Sequence, residues 1–283
     1  MLERLPPLDL AIMALYLLAI VGMSLAIAWR QRTGDDYFLA GRSMGRFPLA
    51  FSLMANQASA VSLVGAPAFV ALREGGGLRW LQYELAVPLA MLLVAAILLP
   101  ALRSVPGASI YAYAETRFGR STRRALAGSF LLARGLALGV ILYASALVVA
   151  EALGCSVDAA LLAVGIFSVA YTSLGGIVAD IWSDVLQLAL LWGGTFVSAF
   201  YLLEHAGVGL LSAIPEERAV TFVLDAQAED PFSLWPMLFG GLFLYLSYYG
   251  CDQSQAQRLL TARSDSDARR ALLLNGLLRF PMV

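Results

Sequence analysis

Long apolar runs separated by short polar connections fill this sequence. They fall at about 8 to 29, 47 to 72, 78 to 102, 125 to 152, 157 to 178, 181 to 203 and 232 to 250, and another begins near Ala271. A bilayer core takes roughly 20 mostly apolar residues per helix. Runs this long and uniformly apolar suit helices, not the alternating strands of a barrel. The pattern therefore predicts an all-α polytopic membrane protein, with residues 1–283 forming a single transmembrane domain. The longest polar connections are Pro106 to Arg124, expected to form short surface helices, and Glu204 to Pro231. Only "MLERLPP" precedes the first run, which is too long for a signal peptide and lacks a small-residue cleavage site, so it is read as a retained helix.

Composition agrees with this picture, and charge orients it. With 60% hydrophobic and 14% charged residues, the chain lacks the polar surface of a soluble domain of its size. Every basic residue is Arg. Thirteen of the nineteen lie in the connections after the first, third and seventh runs, counting Arg258 among them. Short cytoplasmic loops collect basic residues, so the expected protein sits in the cell membrane with its N-terminus outside. Arg134 and Arg279 fall within apolar runs. One histidine, His205, and scattered carboxylates supply no catalytic cluster, so no enzyme, organic cofactor or nucleic-acid partner is expected. Cys155 and Cys251 fall at opposite faces, which argues against a disulfide.

Polar groups interrupt several runs. In "LMANQASAVSLVG", Ser52, Asn56, Ser59 and Ser62 share one helical face and Gln57 lies roughly 100° away. For any single serine, packing through small residues is the simpler reading. Together, with Pro67 beyond, they point to a locally unwound helix lining a cavity, whose freed carbonyls could coordinate a hard cation such as Na⁺. Glu84 lies within the third run, where an acid is expensive; it either faces a partner or substrate or reaches the outer interface. Arg134 calls for an ion pair, with Asp184 a candidate at similar depth. After a tight turn at Gly175 and Gly176, Asp180 and Asp184 stand in the first turns of the next helix, where capping suffices and a cation path is the alternative for Asp184. Tyr245 and Tyr248 share a face; they suit an interfacial belt or a gate and substrate-stacking role.

At four of these places the chain resembles the sodium:solute symporter family. The residues that carry the resemblance are "DDYFLAGRSMG" (Asp35 to Gly45), "SAVSLVGAPA" (Ser59 to Ala68), "YTSLGGIVADIWSDVLQ" (Tyr171 to Gln187) and "DQSQAQRLL" (Asp252 to Leu260). The Ser-Ala-Val and the Gln-x-Gln-x-Gln-Arg look most like the monocarboxylate, multivitamin and iodide branch. The resemblance implies a leucine-transporter-like fold of inverted five-helix repeats, here incomplete: a leading helix at 8–29, the first repeat at 47–204 and the beginning of the second at 232–283. It implies Na⁺ as coupling ion, held by the carbonyls of Ala55 and Ala58, with Asp184 on the Na⁺ path. Substrate contacts would fall on Gln57, Ser59, Ser62 and Glu84, on Tyr245, and on Arg279, near a lysine that reaches the substrate in relatives. Tyr248 would be the inner gate. Val87 replaces a polar contact of the sugar carriers, which argues against sugar. Asp180, Ser183 and Asp252 depart from the usual Val, Thr and Asn.

The implied function is Na⁺-coupled import of a small organic solute, an organic anion or vitamin-like carboxylate, by alternating access in a lipid bilayer. Family members complete the Na⁺ site with hydroxyls on a helix well beyond position 283. The expectation is therefore a fragment that does not transport alone. The rival class is a membrane sensor or interaction module built on a transporter-like bundle.

Overall fold

The computed structural model describes residues 6–58, 60–104, 107, 109–206, 214–225 and 229–280. Helix α1 (Pro7–Ala28) carries the first apolar run and opens on Pro7, whose missing N–H costs nothing in a first turn. Helix α2 (Gly34–Leu39) starts on a capping box: the Thr33 hydroxyl accepts from the Asp36 amide, and the Asp36 carboxylate accepts from the Arg32 and Thr33 amides at 3.1 and 3.0 Å. Those donors, the Arg32 amide foremost, hold the Asp36 carboxyl below its ordinary value of 3.8. Three successive left-handed residues, Ala40, Gly41 and Arg42, then swing the chain into the second run.

That run is two helices, α3 (Arg46–Ala55) and α4 (Ala60–Ala71). The unwinding expected from its polar residues lies between them. Helix α5 (Trp80–Arg103) is a single crossing with a local turn at Leu85. Pro88 explains the turn, because it removes the N–H that would bond the Glu84 carbonyl and its ring crowds that carbonyl. Next come α6 (Tyr111–Phe118), α7 (Arg120–Leu153) and α8 (Val157–Ala206). Helix α8 holds two predicted crossings, joined by a kink at Gly176 (φ 58°, ψ −161°). After the short α9 (Glu216–Ala219) come α10 (Leu234–Cys251), α11 (Gln253–Leu260) and α12 (Asp265–Leu278).

Two boundaries differ from the sequence reading. Arg120, Arg123 and Arg124 belong to the first turns of α7, because Gly119, at φ 86°, ends α6 and lets α7 start at once. Helix α12 starts six residues before Ala271, because the Ser264 hydroxyl caps it by accepting from the Asp267 amide at 3.0 Å.

One core joins α3, α5, α10, α12 and the second arm of α8, through Leu49 and Leu53, Val87 and Met91, Tyr245 and Tyr249, Leu272, and Ile177 and Ile181. The crossings are close. A Cβ on Gly241 of α10 would meet Ala86 at 2.9 Å, and one on Gly276 of α12 would meet Met91 at 3.1 Å. Small residues at such contacts let helices approach when no water is available to drive them together. On α1, α7 and the first arm of α8, large apolar side chains such as Leu15, Leu131 and Ile166 face outward, as suits lipid contact. The connection between α8 and α10 is strapped to the corner between α4 and α5: Arg79 pairs with Asp230 at 2.7 Å, while the Gln82 amide donates to the Phe232 carbonyl and accepts from the Val223 amide, both at 2.9 Å.

Candidate functional site

The break between α3 and α4 is the natural centre of a site. The chain leaves α3 in a tight turn, with the Gln57 amide donating to the Met54 carbonyl at 3.1 Å and the Ala58 amide to the Ala55 carbonyl at 2.9 Å. The Ser62 hydroxyl reaches back from α4 to the Gln57 carbonyl at 3.1 Å. Tyr248 of α10 donates its hydroxyl to the Asn56 carbonyl, also at 3.1 Å. Side chains here hold unused hydrogen-bonding capacity: among the described residues, Asn56 Nδ2 and Gln57 Oε1 are buried with no partner. Buried orphans of this kind are rare in finished interiors and mark places where a ligand or water belongs. Ser59 lies outside the described residues.

Three substrate candidates come together beside the break. Pro88 places Glu84 at the interrupted turn of α5, where Arg279, just past α12, donates Nε to Oε2 at 2.7 Å and Nη2 to Oε1 at 3.3 Å. The Tyr245 hydroxyl lies 3.2 Å from both Glu84 oxygens, and the guanidinium stands 5.6 Å from the Tyr245 ring centroid. Glu84 is 2% exposed, Tyr245 3% and Arg279 9%. That burial rules out the reading in which Glu84 reaches the outer interface, and the reading of Tyr245 as an interfacial belt residue. A two-point Arg–carboxylate contact fixes direction as well as distance, yet Arg279 Nη1 is buried without an acceptor among the described residues. Leu278, the preceding residue, packs with Trp192 against Met54 and Ala55, so α12 brings this cation to the end of α3.

A second polar cluster grips α3 one turn before the break. Arg258 on α11 is 5% exposed. It donates Nη2 to Asp180 at 2.5 Å and to Asp184 at 3.0 Å, and Nε to the Ser52 hydroxyl at 2.8 Å. Ser52 in turn donates to Asp184 at 2.5 Å. Three expectations are corrected here. Arg258 is not a loop charge: it is buried, because α11 turns one face inward to bring it between α3 and α8. Asp180 and Asp184 are ion-pair acceptors, not simple caps, since the kink at Gly176 has already redirected α8 and both project toward Arg258. Arg134 pairs with Asp252, the first-turn cap of α11, at 3.6 Å, and not with Asp184. Similar depth in the bilayer was a poor guide, because Asp184 faces the bundle and is already taken.

Of the residues named from sequence, Ala55, Gln57, Ala58, Ser62 and Tyr248 gather at the break, and Glu84, Tyr245 and Arg279 form the pair beside it. Asp184 lies near Ser52, one turn before Asn56. Arg258 and Gln255, both buried on α11, were not singled out. Their signal was faint: two polar residues three apart, so on one helical face, just before the apolar pair Leu259 and Leu260.

The profile of the sodium:solute symporter family matches residues 37–282. The human sodium/iodide cotransporter is 31% identical over 278 residues, covering 94% of this chain and 42% of its own length. Sodium-coupled monocarboxylate transporter 1 of Xenopus laevis is 29% identical over 273 residues, covering 94% and 43%. The chain thus spans less than half the length of these curated relatives. The solved substrate-bound, outward-open state of a Na⁺-coupled sialic acid symporter superposes with a TM-score of 0.84 at 23% identity, over 96% of this chain and 57% of that one. That likeness establishes a shared leucine-transporter-like fold.

Proposed function

Because this chain belongs to the sodium:solute symporter family, we propose that it builds the leading half of a site for Na⁺-coupled import of a small organic anion, a monocarboxylate or vitamin-like carboxylate, by alternating access. The observation that carries the anionic assignment is Arg279 Nη1: a buried cationic donor without an acceptor among the described residues, beside the Tyr245 ring. A carboxylate oxygen would satisfy it, and charge-assisted hydrogen bonds of this kind are the strong ones. The relatives named for iodide and for monocarboxylates also carry anions by name. Glu84 holds the guanidinium in place by its two-point contact. Gln57 and Asn56 offer one further acceptor and donor to the rest of the solute, with Ser62 and Tyr245 around it.

The turn between Ala55 and Ala58 suits a hard cation, since its carbonyls are oxygen donors at a helix end where the dipole is negative. Bound there, Na⁺ would neutralise those dipoles. The residues of this chain do the rest: α3 and α4 hold the carbonyls, Tyr248 pins the Asn56 carbonyl from α10, and Asp184 stands where a departing cation would pass. Each ligand favours the same arrangement of α3, α4 and α10, and coupling follows from that shared preference. The Arg-rich connections are assigned to the cytoplasmic face of the cell membrane and the N-terminus to the outside.

A thermal-shift series on the purified chain tests the reading, with pyruvate, pantothenate and a neutral sugar, each in NaCl and in choline chloride. Stabilisation by the carboxylates that needs Na⁺ and is lost in Arg279→Gln is expected. Equal shifts in choline, or a sugar response that survives Arg279→Gln, would overturn it. Uptake in proteoliposomes is a separate measurement, expected to be absent for these 283 residues alone.

A further inference from the structure

Arginines beside a membrane helix are ordinary orienting charges, and at two corners of this chain carboxylates accompany them. Arg30 and Arg32 are followed by Asp35 and Asp36, and Arg263, Arg269 and Arg270 share the start of α12 with Asp265 and Asp267. The hairpin of α6 and α7 is different. Four arginines, Arg117, Arg120, Arg123 and Arg124, stand there with one glutamate, Glu115, a net charge of +3. Glu115 is engaged within the hairpin: Arg123 donates Nη1 to its Oε2 at 2.5 Å, and Arg120 Nε lies 3.3 Å from its Oε1. Arg117 donates to the Tyr113 hydroxyl at 3.4 Å. Neither Arg117 nor Arg124 meets a carboxylate among the described residues, and the Arg120 side chain is 84% exposed.

The helix below these charges is equally unusual. Helix α7 carries Arg120, Arg124, Gly128, Leu131 and Gly135 at spacings of four, four, three and four, so they share one face. All of them are exposed. A Cβ added at Gly128 or Gly135 would meet nothing within 4 Å. The partly buried Ala127, Phe130 and Arg134 lie on a neighbouring face, where the Phe130 ring stands 6.0 Å from the Tyr111 ring of α6. The hairpin therefore packs through one face and leaves a shallow apolar channel, headed by cations, along the next. It is also fixed in place, because the Ile110 amide donates to Gln253 Oε1 at 3.0 Å and Arg134 meets Asp252 at 3.6 Å, both at the start of α11.

A soluble anion would use only the cations, and an uncharged lipid only the channel. A ligand that uses both has a phosphate at its head and an acyl chain below. We propose that Arg117, Arg120 and Arg124 bind the phosphate of an anionic phospholipid whose acyl chain lies along Gly128, Leu131 and Gly135. Arg120 and Arg124, one turn apart, offer charge-assisted donors to the phosphate oxygens, and Arg117 adds its charge from the last turn of α6. Attraction to anionic lipid grows with each basic residue near the bilayer surface. This site goes beyond the symport reading and does not depend on it.

Native mass spectrometry of the 283-residue chain in detergent tests the site, with phosphatidylglycerol and zwitterionic phosphatidylcholine titrated separately. The Kd for phosphatidylglycerol should be lower by about tenfold or more. Arg117→Gln/Arg120→Gln/Arg124→Gln should erase that difference, while Arg30→Gln/Arg32→Gln should keep it. Excess inorganic phosphate should leave phosphatidylglycerol bound. Equal affinity for the two lipids, a preference that survives the triple variant, or an equal loss in the Arg30 and Arg32 control would each overturn the proposal. Displacement by phosphate would overturn it in favour of a soluble anion, and a dimer that excludes lipid and is broken by Gly128→Leu would overturn it in favour of a second copy of the chain. Should the triple variant fail to fold, Arg124→Glu decides the matter, since an exposed helical position accepts glutamate. The preference should then fall about threefold or more, and an unchanged preference would sink the proposal.

Discussion

At the residue scale, the Glu84–Arg279 pair tests how burial turns an ion pair into a constraint. Two charges taken out of water recover the cost of desolvation only through each other, so removing one leaves the other stranded. Glu84→Leu or Arg279→Leu should each lower stability by about 3–5 kcal/mol, while the double variant should cost clearly less than the sum. Unfolding in denaturant reads all three, and strict additivity would show that the contact carries no coupling. Half of this was legible in advance. An acid in the third run had to be expensive. The partner, 195 residues away, emerged only from the resemblance, and then as a separate substrate contact instead of a mate. Hydropathy gives depth in the bilayer but not direction around a helix axis, which is also why Arg134 was matched to the wrong aspartate.

At the element scale, the breaks were more legible than the tilts. Asn56 and Gln57 amid small residues announced the gap between α3 and α4, and Gly175–Gly176 announced the bend in α8. What the sequence could not convey is how tightly the bend is held from outside. The Gln31 amide donates to the Gly175 carbonyl at 2.7 Å, the Tyr37 hydroxyl donates to the Ser173 carbonyl at 2.9 Å, and α1 lies along α8 with Ser24 against Gly175. The leading helix thus braces the arm that carries Asp180 and Asp184. Gly176 has a backbone conformation essentially reserved for glycine, and a Cβ there would sit 2.7 Å from the Tyr37 carbonyl oxygen. Gly176→Ala should therefore cost about 2 kcal/mol or more. Gly193→Ala, on the same helix with nothing within 4 Å of an added Cβ, should be neutral or gain up to about 1 kcal/mol. A thermal melt of both variants in one detergent makes the comparison, and equal Tm values would mean that the bend relaxes freely.

At the scale of the whole molecule, Arg258 ties α3, α8 and α11 together. Its side chain reaches α3, α8 and its own helix α11 at once, through Ser52, Asp180 with Asp184, and the Ser254 carbonyl at 2.8 Å. Around it the broken helix is fastened to α11. The Met44 and Ala262 backbones reinforce the junction, with the Met44 amide donating to the Thr261 carbonyl at 3.1 Å and the Arg263 amide to the Met44 carbonyl at 3.0 Å. Arg263 is the internal control, because its pair with Asp267 lies within one helix start and its side chain is 63% exposed. Arg258→Gln strands two carboxylates in the interior and should cost about 3 kcal/mol or more; Arg263→Gln should change stability by about 0.5 kcal/mol or less. The loss should also be local before it is global. Amide exchange over Ser52 to Ala55 and over the first turns after Gly176 should quicken in Arg258→Gln while α7 is unchanged, because a cut tie frees the elements it joined. Exchange that quickens evenly along the chain would identify Arg258 as a general contributor to stability, with no special hold on the last turn of α3.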